Sequence, residues 1–217
     1  MKLPIPPVYP ILDTASLARA GLGVIEVAEA FLEGGAQILQ FRHKGFWSRE
    51  IFGQAGQVAQ LCREAGAQFV INDRADYAAI LGAGLHVGQN DLSPEDARRV
   101  IGMKTLLGFS THNSGQMRAA AAEPVDYVAV GPVFVTVSKE RPDATVGLEG
   151  LRAVRALTDR PLVAIGGILL ENVTACLAAG ADSVAVIGDL FARDGGYAAL
   201  RARTSEWVEL GENRHTG

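Results

Sequence analysis

Residues 160–189 read RPLVAIGGILLENVTACLAAGADSVAVIGD. Two apolar runs, Leu162–Ile165 and Ser183–Ile187, frame a helical pattern over Glu171–Ala179 that Gly180 brings to a stop. The runs show no polar alternation, which is how strands buried on both faces of a parallel sheet read. Each run ends in glycine, Gly166-Gly167 after the first and Gly188 after the second. The segment is one β-α-β unit, and the rest of the chain follows its plan.

Further strands are expected at Val8–Leu12, Ile38–Phe41, Gln68–Ile71, Gly84–Val87, Leu106–Phe109 and Tyr127–Val130. Helical patterns lie between them at Ile25–Leu32, Arg49–Ala65, Pro94–Ile101, Gly115–Ala122 and Leu148–Leu157. Ser93-Pro94-Glu95 places a capping hydroxyl before a first-turn proline, and Gly66 stands where a helix should end. About eight such units in 217 residues give the arithmetic of a compact α/β fold, a single (β/α)8 TIM barrel. An open, doubly wound sheet is the runner-up, since counting units does not distinguish it from closure. One domain is expected over 1–217, with residues 1–7 as an N-terminal arm and about 211–217 as a flexible tail.

Composition narrows the function. Hydrophobic residues make up 48%, which excludes a disordered chain, and no run approaches the length of a membrane helix. Lys plus Arg number 20 against 24 for Asp plus Glu, a net charge of −4 that argues against nucleic acid as a partner. Cys62 and Cys176 are too far apart for a CxxC site and read as buried hydrophobes of a reducing compartment. The proline-rich start MKLPIPPVYP lacks a signal-peptide core, so the cytoplasm is the expected location. Small-molecule substrates are the expected partners, with no membrane and, by analogy of fold, a homodimer.

In such barrels the chemistry sits at the C-terminal ends of the strands, and polar or glycine clusters collect there. They are Gln40–Lys44, Asn72–Arg74, Gly88–Asp91, Ser110–His112, Thr136–Lys139, Gly166-Gly167 and Gly188-Asp189. The opposite ends carry no comparable chemistry in the sequence. Arg42 and Lys44, two residues apart at a strand end, project to one side and suit a diphosphate, with Lys139 able to reach the same centre. Asp73 and Asp91 follow neighbouring strands. Either alone serves equally well as a helix cap or an arginine partner; both beside a basic cluster fit Mg²⁺ held with phosphate oxygens and water. The glycine turns after the seventh and eighth strands suit a phosphate monoester bound by backbone amides. Thr136 and Ser138 lie between the two anion sites with neutral donors.

Six runs in order carry a resemblance: QFRHK at 40–44, NDR at 72–74, HVGQNDL at 86–92, GFSTH at 108–112, GPVFVTVSK at 131–139 and AIGGI at 164–168. The chain resembles the thiamine phosphate synthase family along nearly its whole length. The resemblance implies Mg²⁺-dependent condensation of hydroxymethylpyrimidine diphosphate with carboxythiazole phosphate, giving thiamine phosphate, diphosphate and carbon dioxide. It implies that Gln40 meets the pyrimidine half, that Arg42, Lys44, Asn72 and Lys139 bind the diphosphate, and that Ser110 sits beside the pyrimidine or its leaving group, with Phe41 and His43 also in this pyrimidine diphosphate site. Arg42, Lys44, Lys139 and Ser110 would be the catalytic set, and Asp73 and Asp91 the metal ligands. Thr136, Val137 and Ser138 would position the thiazole, and Gly167, Ile187 and Gly188 its phosphate.

The chain departs from the family's usual pattern at four places. His43 stands where the family usually has an acid, Val135 for Pro, Ser138 for Thr and Gly188 for Ser. Two alternatives are a thiazole tautomerase, a similar barrel that would use His112 for proton transfer, and a non-catalytic phosphate-binding barrel.

Overall fold

The computed structural model describes residues 5–136, 144–191 and 196–212. Eight parallel strands stand in chain order: β1 Val8–Asp13, β2 Ile38–Arg42, β3 Gln68–Asn72, β4 Gly84–Val87, β5 Leu107–Thr111, β6 Tyr127–Val130, β7 Leu162–Ile165 and β8 Ser183–Val186. Pairing of Val8, Tyr9 and Pro10 with Val184, Ala185 and Val186 joins β8 to β1, so the sheet is a closed barrel and the open alternative falls.

Several strands run past their expected ends. Asp13 pairs in register with Arg42, and Asn72 with His86, so the ladders continue into the polar residues. Likewise β5 lies at Leu107–Thr111 rather than Leu106–Phe109, and carries Ser110 within it. Backbone hydrogen bonds, not side-chain apolarity, decide where a ladder stops. The site residues on these strands therefore inherit their rigidity.

Nine helices are described: α1 Thr14–Arg19, α2 Val24–Glu33, α3 Arg49–Ala65, α4 Ala75–Leu81, α5 Pro94–Ile101, α6 Ser114–Ala120, α7 Gly147–Arg155, α8 Val173–Ala178 and α9 Gly196–Glu212. Ser48 and Ser93 cap α3 and α5 by accepting from Ile51 N and Asp96 N, and Gly66 closes α3 in the left-handed region at φ 69°. The sequence reading contains no α1, α4 or α9. The first two are a turn or two long and follow closely on β1 and β3. In α9 the buried face includes Arg203 and Thr204 beside Leu200 and Trp207, so polar residues mask the stripe.

Two apolar cores follow from strand alternation. One fills the space between the sheet and the helices, with Leu12, Phe31, Leu39, Phe41 and Ile71 among its members. The other fills the barrel itself and includes Tyr9, Ile11, Ile38, Val70, Tyr127 and Val163. Ile5 belongs to the inner core, so the expected arm contributes a plug at the N-terminal end. At the other terminus α9 takes in the first two residues of the expected tail. Gly211 and Glu212 are helical, and a Cβ on Gly211 would stand 2.9 Å from the Pro7 side chain.

Candidate active site

A cavity of about 450 Å³ opens at the C-terminal mouth of the barrel. Gln40, Arg42, Lys44, Asn72, Asp73, Asp91, Ser110, Thr136, Gly167, Ile187 and Gly188 all line it. Phe41 does not: alternation on β2 turns its ring into the outer core, where it is fully buried and lies 5.6 Å from the Trp47 ring. His43 also stands off the wall. Its Nδ1 lies 2.7 Å from Thr14 Oγ1, and its Nε2 lies 3.2 Å from the Phe46 carbonyl, tying the basic run to the start of α1. Val137, Ser138 and Lys139 lie outside the described residues.

The cationic wall is organised by ion pairs. Arg42 bonds to Asp13, which also caps α1 by accepting from Ser16 N at 2.9 Å. Burial opposes ionisation of Asp13. The bonds from Ser16 and the charge of Arg42 outweigh it and hold the carboxyl below the usual range. Lys44 reaches Asp73 at 2.5 Å.

Asp73 is held in an uncommon way. It is the one non-glycine residue with positive φ among those described, at 65°, and its N–H donates to the His86 carbonyl at 2.8 Å. Burial pushes its carboxyl above the usual range and nearby Asp91 adds to the push, while Lys44 opposes both. Asp91 in turn accepts from Gly88 N at 2.7 Å. Beside this pair the Asn72 side-chain amide, buried at the cavity wall, has no acceptor among the described residues.

The far wall is a turn. Gly166 and Gly167 have φ of 98° and 64°, and a Cβ on Gly167 would come within 2.4 Å of the Val135 carbonyl. Only glycine fits both demands. Val133 N and Phe134 N donate to the carbonyls of Ile165 and Gly166, joining this turn to the loop after β6. His112 steadies that loop as well: its Nδ1 lies 2.7 Å from the Gly131 carbonyl, which can only accept, so Nδ1 carries the proton. Gly188 opens a 3-10 turn, Gly188–Phe191, and a Cβ built there meets nothing, so the family's serine would also fit. Asp189 anchors that turn through Arg203 at 2.7 Å and Trp207 Nε1 at 2.8 Å, both on α9.

Sequence reasoning missed several lining residues, among them Tyr9, His86, Tyr127 and Ile165. Their strands read as continuous apolar runs, which gives no sign of which residues face inward. A polar side chain one position before a strand's end, such as His86, is the signal available.

A (β/α)8 barrel with paired carboxylates, ion-paired cations and a double-glycine turn around its C-terminal mouth defines an enzyme of the barrel class that carries its chemistry at that mouth. The model of the family described as thiamine monophosphate synthase matches residues 8–190, and the chain belongs to that family. A thiamine-phosphate synthase of Koribacter versatilis is 44% identical over 96% of this chain and 97% of its own. One from Chloroflexus aurantiacus is 42% identical over 88% of each. The solved thiamine phosphate pyrophosphorylase of Pyrococcus furiosus superposes with a TM-score of 0.83, at 31% identity over 96% of both chains.

Proposed function

We propose that this chain acts as a thiamine-phosphate synthase, a transferase joining hydroxymethylpyrimidine diphosphate to carboxythiazole phosphate with loss of diphosphate and carbon dioxide. The observation that carries this reading is the buried Asn72 amide, without an acceptor among the described residues, beside Lys44, Asp73 and Asp91 on one wall of the cavity. That wall suits a diphosphate, and the glycine turn opposite suits a phosphate monoester. His112 is engaged with the Gly131 carbonyl, which supports a loop-holding role over the proton transfer of a tautomerase.

The donor set fits Mg²⁺. Asp73 and Asp91 are close enough to raise the Asp73 pKa, and two carboxylates completed by substrate phosphates are a usual magnesium arrangement. No cluster of three or more His, Cys, Asp or Glu side chains occurs among the described residues, so an all-protein cage does not form there. When bound, the ion would supply charge stabilisation for the departing diphosphate.

The chain's own residues do the rest. Arg42 and Lys44 bind and orient the diphosphate, and stabilise charge as the bond from oxygen to the pyrimidine methylene lengthens. The aminopyrimidine can carry positive charge at that carbon, so cleavage precedes attack by the thiazole nitrogen. The turn around Gly167 and Gly188 holds the thiazole phosphate and brings that nitrogen into line. Apolar walls from Ile165, Ile168 and Ile187 keep water from the reacting carbon. No protein nucleophile is required. Cys62 and Cys176 are free, buried thiols, which suits a reducing compartment such as the cytoplasm. No described helix is long and apolar enough to cross a membrane.

Diphosphate release is the test. It should require both substrates and Mg²⁺ together. Absence of release from the wild-type protein, with thiazole isomerisation in its place, would overturn the reading.

A further inference from the structure

A line of buried polar side chains crosses the barrel interior beneath the cavity. Gln40 Nε2 donates to the Tyr9 hydroxyl at 3.2 Å, and the Tyr9 and Tyr127 hydroxyls stand 3.0 Å apart. The Tyr127 hydroxyl is 2.9 Å from His86 Nδ1, and His86 Nε2 is 2.8 Å from Ser110 Oγ. The backbone gives way to this line: a Cβ on Gly108 would fall 2.0 Å from Tyr127 Cζ, so Gly108 exists to seat the phenol. Burial pushes Tyr9 up to about 12 and Tyr127 well above its usual value, so both remain neutral hydroxyls.

The Gln40 amide sets a direction for the line. With Gln40 Nε2 donating to Tyr9, the arrangement that satisfies every group sends the Tyr9 proton to Tyr127 and the Tyr127 proton to Nδ1. A neutral imidazole has one N–H and one lone pair. Accepting at Nδ1 obliges His86 to donate from Nε2 to Ser110. Ser110 has no other side-chain hydrogen bond among the described residues, so its O–H is left to donate into the cavity it lines. At the other end, with Nε2 held by Tyr9, Gln40 presents Oε1 as an acceptor.

We infer that Tyr9, Tyr127 and His86 are positioning residues that hold Gln40 as acceptor and Ser110 as donor, a matched pair that selects an aminopyrimidine over its oxo counterpart. This rests on the synthase reading and adds to it. The amino ring donates from its exocyclic nitrogen and accepts at the adjacent ring nitrogen. The oxo ring presents the reverse pattern. To bind it, the buried Gln40 amide must rotate and every bond in the line must reverse, or polar groups stay unmet.

The test is equilibrium binding, by calorimetry with Mg²⁺ and without the thiazole, of the 4-amino pyrimidine diphosphate and its 4-oxo analogue. The wild type should prefer the amino form by about a hundredfold or more. Tyr127→Phe keeps the ring and cuts the line. It should weaken the amino form by about tenfold, leave the oxo form unchanged and leave the KM for thiazole phosphate unchanged. Tyr9→Phe should show the same pattern and carries the test if Tyr127→Phe fails to fold. A preference that survives both substitutions, or equal losses for both ligands, overturns the inference. A wild type that releases diphosphate yet does not prefer the amino form overturns it as well. A wild type that releases none refutes the synthase reading instead.

Discussion

The two ends of the barrel carry similar charges and use them in opposite ways. At the N-terminal end, Asp126 accepts from Leu107 N and from Arg98, both at 2.7 Å, and Arg98 also donates to the carbonyls of Pro124 and Thr105. Two units on, the plan repeats: Asp182 accepts from Leu162 N at 2.8 Å and from Arg155 at 2.7 Å. In each case a helix arginine and the first N–H of the next strand meet the aspartate that precedes the strand after it. The sequence reading found no comparable chemistry at this end, and its charges prove to be fastenings that the protein satisfies by itself. At the C-terminal end Asp73 sits at φ 65° with its carboxyl pushed up, Asp91 is close by, and the Asn72 amide lacks an acceptor among the described residues. The charges there are not paired off in the same way. The difference separates residues that hold the barrel from residues that use it.

Substitutions at the two ends should therefore fail differently. Asp73→Asn keeps a residue that tolerates the left-handed region and removes one charge. Turnover should fall by about a hundred- to a thousandfold, measured as diphosphate release, while thermal stability holds or rises. Loss of folding with activity spared would erase the distinction. Arg98→Ala should show the reverse. Its guanidinium is buried while Asp126 is 41% exposed, so water takes up part of the loss. A cost of about 2 kcal/mol, or a melting point lower by about 4–8 °C, is expected with kcat of the folded fraction unchanged.

A smaller effect sharpens the comparison within the upper end. Asp13 has a lowered pKa when folded, so its ionised form contributes stability above the unfolded value, and this is lost as pH falls through the folded one. Asp13→Asn should lower the melting point at pH 7 and converge with wild type in acid. Asp73, with a raised folded pKa, has the opposite sign: stability drops as pH rises from the unfolded value through the folded one. Melting curves of both variants against pH would check the pair, and parallel curves would show that the two carboxylates share one environment.

What was legible in the sequence follows from how each residue is placed. Arg42, Lys44, Asp73 and Gly167 stand where an apolar run breaks off, and a break is visible in one dimension. Tyr127 and His86 lie within runs buried on both faces, where nothing in the pattern separates inside from outside. Phe41 shows the cost of that ambiguity, since it adjoins Gln40 in sequence and faces the other way in space. Helix α9 was hidden because its buried face carries Arg203, whose partner Asp189 is distant in sequence. Pairings of that kind are properties of the folded chain alone.

The contact between Gly211 and Pro7 has a consequence for the chain's connectivity. It places the end of α9 against the residue that leads into β1, and Val184 N already donates to the Pro7 carbonyl at 2.9 Å. The path through the molecule is thus nearly a loop without a break. A short bridge between those ends, with a new opening at exposed Met103, would produce a circular permutant with all eight strands still neighbours. Such a chain would be synthesised in another order and arrive at the same cavity.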